Sequence, residues 1–311
     1  MCLSALGLGF VFTSTLVMIG QQFDKWRGLV FGFCTCGIST ANIVQPLLTS
    51  WMCDVFGWRG ALAITGATIL NVCPVAMLMH ICSRKLRKLQ IELKIETTFY
   101  DKNTCNSIEK QYEATSTLTT PLWTLEYIML HLNGLLFSFG QSVVYTHIVA
   151  LFVSLDYSYK HSLHLVSVMG VSNVVGRIIL GLLARRNFCI SLSTLFSVSY
   201  VTAGISCFFL AFTSTFLFSI FLSIVLGFTL AAYGPVYNEY LCSIVDPNSG
   251  NRFAHAYGML LVSMGVGTLF GAPSAGLLFD WTRSYKTSFI VGAVSFTLSG
   301  LVVYVPEFLK A

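Results

Sequence analysis

Stretches without Asp, Glu, Lys or Arg divide this chain into pieces of membrane-crossing length. The first is Leu3–Ile19, followed by Gly28–Cys53, Gly60–Ser83, Tyr127–Leu155, His161–Gly176, Asn187–Asn238, Phe253–Phe279 and Thr287–Pro306. A helix needs roughly 20 mostly apolar residues to cross a bilayer. With Asn187–Asn238 long enough for two helices and the helix through Arg177 continuing to about Ala184, the pattern predicts about nine spans. None of the runs keeps a charged face, so the chain is predicted to be an all-α integral membrane protein.

One polar stretch interrupts the series and suggests three parts. Residues 1–82 carry three spans, residues 83–123 form a linker, and residues 124–311 carry a six-helix bundle. Lys25 and Arg27, the cluster Arg84, Lys85, Arg87, Lys88 and Lys94, the pair Arg185 and Arg186, Arg252 and Lys310 all fall on one face if the spans alternate. Arg59, Lys160, Arg283 and Lys286 fall on the other. Lys and Arg are retained in cytoplasmic loops, so the first face is assigned to the cytoplasm, with the N-terminus outside. The linker is then cytoplasmic. Its Lys-rich start can anchor at the membrane surface or attract anionic lipid. Its Ser116, Thr115, Thr117, Thr119 and Thr120 are either ordinary linker chemistry or phosphorylation acceptors.

Composition agrees with lipid as the solvent. Hydrophobic residues make up 55% of the 311 and charged ones 10%, with a mean hydropathy of +0.75. The net charge of +5 resides in short loops, where topology explains it, and nucleic acid is excluded as a partner. Most of the cysteines, among them Cys34, Cys36, Cys73, Cys189 and Cys207, sit in apolar runs as small buried hydrophobes, without the His or carboxylate spacing of a metal site. The opening run has no basic region before it and no small-residue cleavage site, so it reads as a spanning helix rather than a signal peptide. No phosphate-binding loop, zinc-protease motif, nucleophile elbow or haem attachment is present. The chain is expected to be neither a pump ATPase nor an intramembrane enzyme, and to carry no cofactor.

Arg177 is the position where charge and apolar pattern conflict. It stands about eight residues, roughly 12 Å along a helix, before Arg185. A charge at that depth costs at least a few kcal/mol unless it faces a cavity or a partner, or snorkels to the cytoplasmic surface. Glu239 is the other ionisable residue well inside the apolar runs, at a comparable level, and is the predicted charge partner of Arg177 in at least one conformational state. Asn173, four residues before Arg177, shares its helix face. His147 stands toward the outer end of its span, either as a proton or carboxylate contact or as a helix-to-helix hydrogen-bonding residue. His161 and His164 sit at the outer boundary. Gly28 with Gly32, Ser172 with Gly176 and Gly267 with Gly271 allow close helix approach, and Pro46, Pro74, Pro235 and Pro273 can bend spans.

Several strings resemble the monocarboxylate transporter family of the major facilitator superfamily. Gly20-Gln-Gln-Phe-Asp-Lys-Trp-Arg-Gly-Leu-Val-Phe-Gly32, with Lys25 and Arg27, is similar to that family's loop motif between its fourth and fifth helices. Asp54-Val-Phe-Gly-Trp-Arg-Gly60 resembles its F-G-W-R-G string after the fifth helix. Val144–Ala150 is similar to its seventh-helix pattern, and Asn173–Gly181 to the D-x-x-x-R-x-x-x-G of its eighth helix. The resemblance covers essentially the whole chain from what would be the fourth helix onward. It implies a major facilitator fold lacking about three N-terminal helices, as in a truncated gene product, splice form or fragment.

The resemblance further implies a secondary transporter of monocarboxylates or related organic anions, working by alternating access in the plasma membrane. Arg177 then engages the substrate carboxylate. Asn173 stands where proton-coupled members have an aspartate, and Asn238 where selectors of small monocarboxylates have a bulky aromatic. An amide cannot titrate, so the departure at Asn173 argues against assuming the family's proton symport. Symport and facilitated diffusion of the anion both stay open, and an uncoupled carrier of aromatic amino acids or hormone-like solutes is another expectation. A truncated, non-transporting regulatory protein paired with a full-length carrier or an ancillary single-span glycoprotein is a third.

Overall fold

The computed structural model describes residues 2–23, 26–78, 80–81, 84–85, 123–184, 191–213, 215–249 and 251–309. Lys25, the basic pair Arg185 and Arg186, Lys310 and the linker apart from Arg84, Lys85 and Trp123 lie outside the described residues. The described elements are helices in the order α1 (Cys2–Gln22), α2 (Arg27–Leu70), α3 (Leu125–Ser154), α4 (Tyr159–Leu183), α5 (Leu192–Leu210), α6 (Phe216–Leu230), α7 (Pro235–Ile244), α8 (Asn251–Thr282) and α9 (Tyr285–Phe308). A 3-10 turn, Ala231–Tyr233, joins α6 to α7.

Eight spans among the described residues are long and apolar enough to cross a membrane; α2 contributes two, and Phe216–Ile244 counts as one. α1, at 21 residues without a charged side chain, has the length of a ninth. The chain is therefore a multi-pass membrane protein. The helical run of α2 is broken at Gly57, whose φ of 67° and ψ of 171° lie outside the helical region. Positive φ is a conformation glycine adopts without steric cost. The Asp54–Gly60 string thus marks a backbone break, with the Arg59 guanidinium 5.1 Å from the Trp58 ring centre.

By packing, the chain divides into one compact unit made of Met1–Pro46 and Leu122–Ala311 and another made of Leu47–Pro121. Within the first, α3 lies against α8 and α9, α9 against α5, and α4 against α6. These seams are tight because small residues meet backbone. A β-carbon on Gly267 would lie 2.3 Å from the Leu135 carbonyl oxygen, and one on Gly271 would lie 2.5 Å from that of Phe139. Serines tie the same helices, with Ser295 donating to Leu136 O at 2.7 Å and Ser197 to Gly300 O at 2.7 Å. Lipid removes the hydrophobic drive between helices, so close backbone approach and interhelical hydrogen bonds carry much of the association. Phe208, Phe212, Leu217, Phe221, Val262 and Leu269 are exposed, as apolar side chains facing acyl chains would be.

Helix starts follow the local sequence. Thr124, Ser158, Ser191 and Ser284 cap α3, α4, α5 and α9 by accepting a backbone N–H from the first turn. The α6–α7 junction is set by Gly234-Pro235. Proline lacks the N–H that would continue the ladder, and the Gly234 N–H instead makes a shorter-range bond to Ala231 O at 3.3 Å.

Candidate functional site

Arg177 stands about six residues, roughly 9 Å, before the end of α4 at Leu183. Only 3% of its surface is exposed. The backbone around it is crowded on two sides. A β-carbon on Gly32 of α2 would lie 2.5 Å from the Arg177 carbonyl oxygen. One on Gly234 would lie 2.8 Å from Arg177 Nη1 and 2.2 Å from Thr35 Oγ1. Gly32 therefore lets α2 reach the α4 backbone, and Gly234 lets the guanidinium rest against the α6–α7 junction. Larger residues would displace one or the other.

Asn173 organises the polar contacts. Its Oδ1 accepts from Arg177 Nε at 3.0 Å and from Ser39 Oγ of α2, while its Nδ2 donates to Gly227 O of α6 at 2.7 Å. One side chain on α4 is thereby bonded to α2, to α6 and to the arginine. An aspartate would keep the two acceptor contacts but could not donate to Gly227 O, so the amide suits this arrangement. Of the guanidinium nitrogens, Nη1 is buried with no hydrogen-bond partner among the described residues. A buried cationic donor left unmatched costs more than an ordinary missing hydrogen bond, and marks a place for an acceptor.

Aromatic groups flank the arginine. Tyr145, Tyr200 and Tyr233 lie within electrostatic range of it. Phe137 is stacked between Tyr200, with ring centres 4.6 Å apart, and Tyr233, at 5.3 Å. Tyr237 adjoins Tyr233 at 5.6 Å. The hydroxyls of Tyr200 and Tyr237 are buried and unpartnered among the described residues. Ring faces in this column are occupied by one another, whereas three polar groups, Arg177 Nη1 and these two hydroxyls, remain unmatched.

The other residues singled out from sequence are distributed more widely. Asn238 on α7 is buried, but its amide is already engaged, Nδ2 donating to Gly234 O at 2.5 Å and Oδ1 accepting from Tyr257 Oη of α8 at 2.8 Å. It fastens the α6–α7 junction to α8. Glu239 is buried beside it at 7% exposure, while the hydrogen bond from Arg177 goes to Asn173 in this conformation. His147 on α3 is within hydrogen-bond reach of Ala272 O of α8 at 3.3 Å and stacks on Tyr285. Counting rises along antiparallel α3 and α4 puts it about 15 Å from Arg177 in depth, outside the arginine cluster. Arg27 begins α2, with Nε donating to Phe23 O at 2.6 Å.

Sequence reading missed Ser39, Thr35, Gly234, Tyr200 and Tyr237. A signal for the first two was present, since Thr35 and Ser39 are four residues apart on one face of an apolar helix. Gly-Pro at 234–235 similarly signalled a break, though not that the arginine abuts it.

The chain is similar to known membrane transporters. Residues 1–252 match the Major Facilitator Superfamily. Monocarboxylate transporter 12 of Xenopus laevis is 24% identical over 97% of this chain and 66% of its own length. Monocarboxylate transporter 4 of Gallus gallus is 25% identical over 98% of this chain and 62% of its own, and monocarboxylate transporter 13 of Rattus norvegicus 28% identical over 98% and 66%. The chain thus spans between 62% and 66% of the length of these three relatives.

Proposed function

The chain belongs to the major facilitator superfamily, and on that premise we propose that it contributes to transmembrane passage of a small monocarboxylate or related organic anion, with Arg177 as the carboxylate-engaging group. The observation that carries this reading is Arg177 Nη1, a cationic donor buried and unmatched beside a preformed amide brace. Charge-assisted hydrogen bonds to a carboxylate are about twice as strong as neutral ones. Such an anion would neutralise the buried charge, and the hydroxyl of Tyr200, within electrostatic range of Arg177, offers a further donor.

The proposed mechanism is alternating access, by rocking of helix groups around a site near mid-membrane. Residues 124–311 would supply one six-helix bundle, residues 1–82 three spans of the other, and residues 83–123 the cytoplasmic linker. In the present conformation Arg177 is occluded, so entry of an anion requires the elements around it to separate. Glu239 is proposed to exchange with the substrate as the arginine's partner in another state of the cycle. His147 and Asn238 are then supports of the α3–α8 and α7–α8 contacts respectively. Symport with a proton carried at position 173, where proton-coupled members have an aspartate, would need a titrating side chain there. Asn173 cannot titrate, and its amide is matched at both ends, which favours passive, uncoupled movement of the anion.

The second transport reading, an uncoupled carrier of aromatic amino acids or hormone-like solutes, is less favoured because the Tyr200–Phe137–Tyr233 rings fill one another's faces. Lactate uptake and aromatic amino acid uptake, each measured in proteoliposomes of this chain with and without a pH gradient, separate the alternatives. Saturable lactate flux independent of the gradient and lost in Arg177→Leu is expected at the plasma membrane carrier proposed here. Absence of flux from this chain alone, restored by an added full-length carrier or single-span glycoprotein, would favour the regulatory reading.

A further inference from the structure

We propose that Ser39 of α2 is a positioning residue for Arg177, acting through Asn173. In apolar helices a serine or threonine hydroxyl commonly bonds back to the carbonyl four residues earlier. Thr13, Ser14, Thr15, Thr35 and Thr40 all do so here, at 2.7–3.0 Å. Ser39 departs from that habit. Its hydroxyl, on a residue 2% exposed, crosses to α4 and donates to Asn173 Oδ1. That oxygen is the same atom that accepts from Arg177 Nε, and the remaining end of the amide is anchored to Gly227 O.

The consequence is directional. An amide oxygen has two lone pairs, so with Ser39 in place both are engaged and the plane of Asn173 is fixed between α2, α4 and α6. The Arg177 Nε contact then sets the roll of the planar guanidinium and leaves Nη1 as the unmatched nitrogen against Gly234. Without the Ser39 donor one lone pair is released, the amide is held at two points instead of three, and the guanidinium loses its defined orientation. A carboxylate recognised through two nitrogens of a planar fork is sensitive to such a change. Because Ser39 and Asn173 lie on different helices, the bond also ties the orientation of the arginine to the distance between α2 and α4.

This inference rests on the reading of Arg177 as the anion-engaging group, and its test uses two readouts so that the ideas can fail separately. The first is equilibrium binding of L-lactate to the purified full chain; the second is the rate at which phenylglyoxal modifies Arg177, followed by peptide mass spectrometry without any substrate. Ser39→Ala is expected to weaken lactate binding about fivefold to tenfold and to speed Arg177 modification severalfold. Ser39→Cys, which keeps the volume with a poor donor, should behave like alanine, and Ser39→Thr, which keeps the hydroxyl, should stay near the parent. Lactate binding that needs Arg177 but is the same in the parent, Ser39→Ala and Ser39→Cys would overturn the positioning role. A difference in modification rate that follows the hydroxyl, in a parent that binds no lactate, would support the positioning role and refute the substrate reading instead. Equal modification rates in all four proteins would overturn it in either case.

Discussion

Gly234→Ala is a small change whose sign can be worked out. Gly234 has φ −69° and ψ −68°, a right-handed conformation that Pro235, next in the chain, makes costlier for a residue with a β-carbon. The general preference of a helix interior for alanine over glycine, about 0.5–1 kcal/mol, is the one term that forecasts a gain. Packing forecasts the opposite. The new methyl would lie 2.2 Å from Thr35 Oγ1 and 2.8 Å from Arg177 Nη1, both well inside normal contact. Thr35 is 1% exposed and donates to Phe31 O at 2.7 Å, so it cannot swing away without losing that bond. Overfilling of a packed core costs typically 1–3 kcal/mol, which outweighs the helix term and leaves a net loss of ~1–2 kcal/mol. For a chain of this size that corresponds to a melting temperature lower by roughly 2–6 °C, read in detergent by intrinsic fluorescence. Displacement of the guanidinium should also weaken lactate binding about tenfold, or about 1.4 kcal/mol. Adding Thr35→Ala should recover much of both losses by removing the closer clash. A Gly234→Ala protein as stable as the parent and equal to it in lactate affinity would refute the reasoning.

Other expectations follow from the same contacts. Arg177→Leu removes an unmatched buried charge, so it should abolish lactate binding while leaving thermal stability unchanged or higher, a split that a purely structural arginine would not show. Asn173→Asp should lose the bond to Gly227 O, lower stability by about 1–3 kcal/mol, and introduce a pH dependence into lactate binding that the parent lacks. Asn238→Ala, measured by thermal melting, should cost on the order of 1–3 kcal/mol by leaving Gly234 O and the Tyr257 hydroxyl without their partner. Gly32→Val should impair folding or insertion, judged by size-exclusion profile, because its side chain would enter the Arg177 carbonyl.

Much of the architecture was legible because lipid allows few ways to bury a backbone. Charge-free runs announced the spans, the string around Gly57 marked a break, and Gly234-Pro235 marked a bend. Arg177 stood out because a charge within an apolar run is costly wherever it points. Asn173, one turn before it, was legible as a neighbour on the same face, but the contacts from other helices were not. Ser39 is one hydroxyl among several in small-residue-rich α2, and nothing in the order of residues says that it, unlike Thr35 and Thr40, crosses to the neighbouring helix. Depth placed Glu239 level with Arg177, a pairing proposed for another conformational state, while the arginine's bond in the present one goes to Asn173 on its own helix. His147 illustrates an ambiguity of residue type: sequence allowed either site chemistry or a helix-to-helix contact, and here it lies within hydrogen-bond reach of Ala272 O and stacks on Tyr285.

The central claim is that the buried arginine holds an organic carboxylate, and equilibrium binding of radiolabelled L-lactate to the purified chain tests it most directly, comparing the parent with Arg177→Leu across pH 5.5 to 8. Saturable binding in the parent, displaced by excess unlabelled lactate, independent of pH and absent from a folded Arg177→Leu protein, is the expected result. Saturable binding of equal affinity in both proteins would contradict the account.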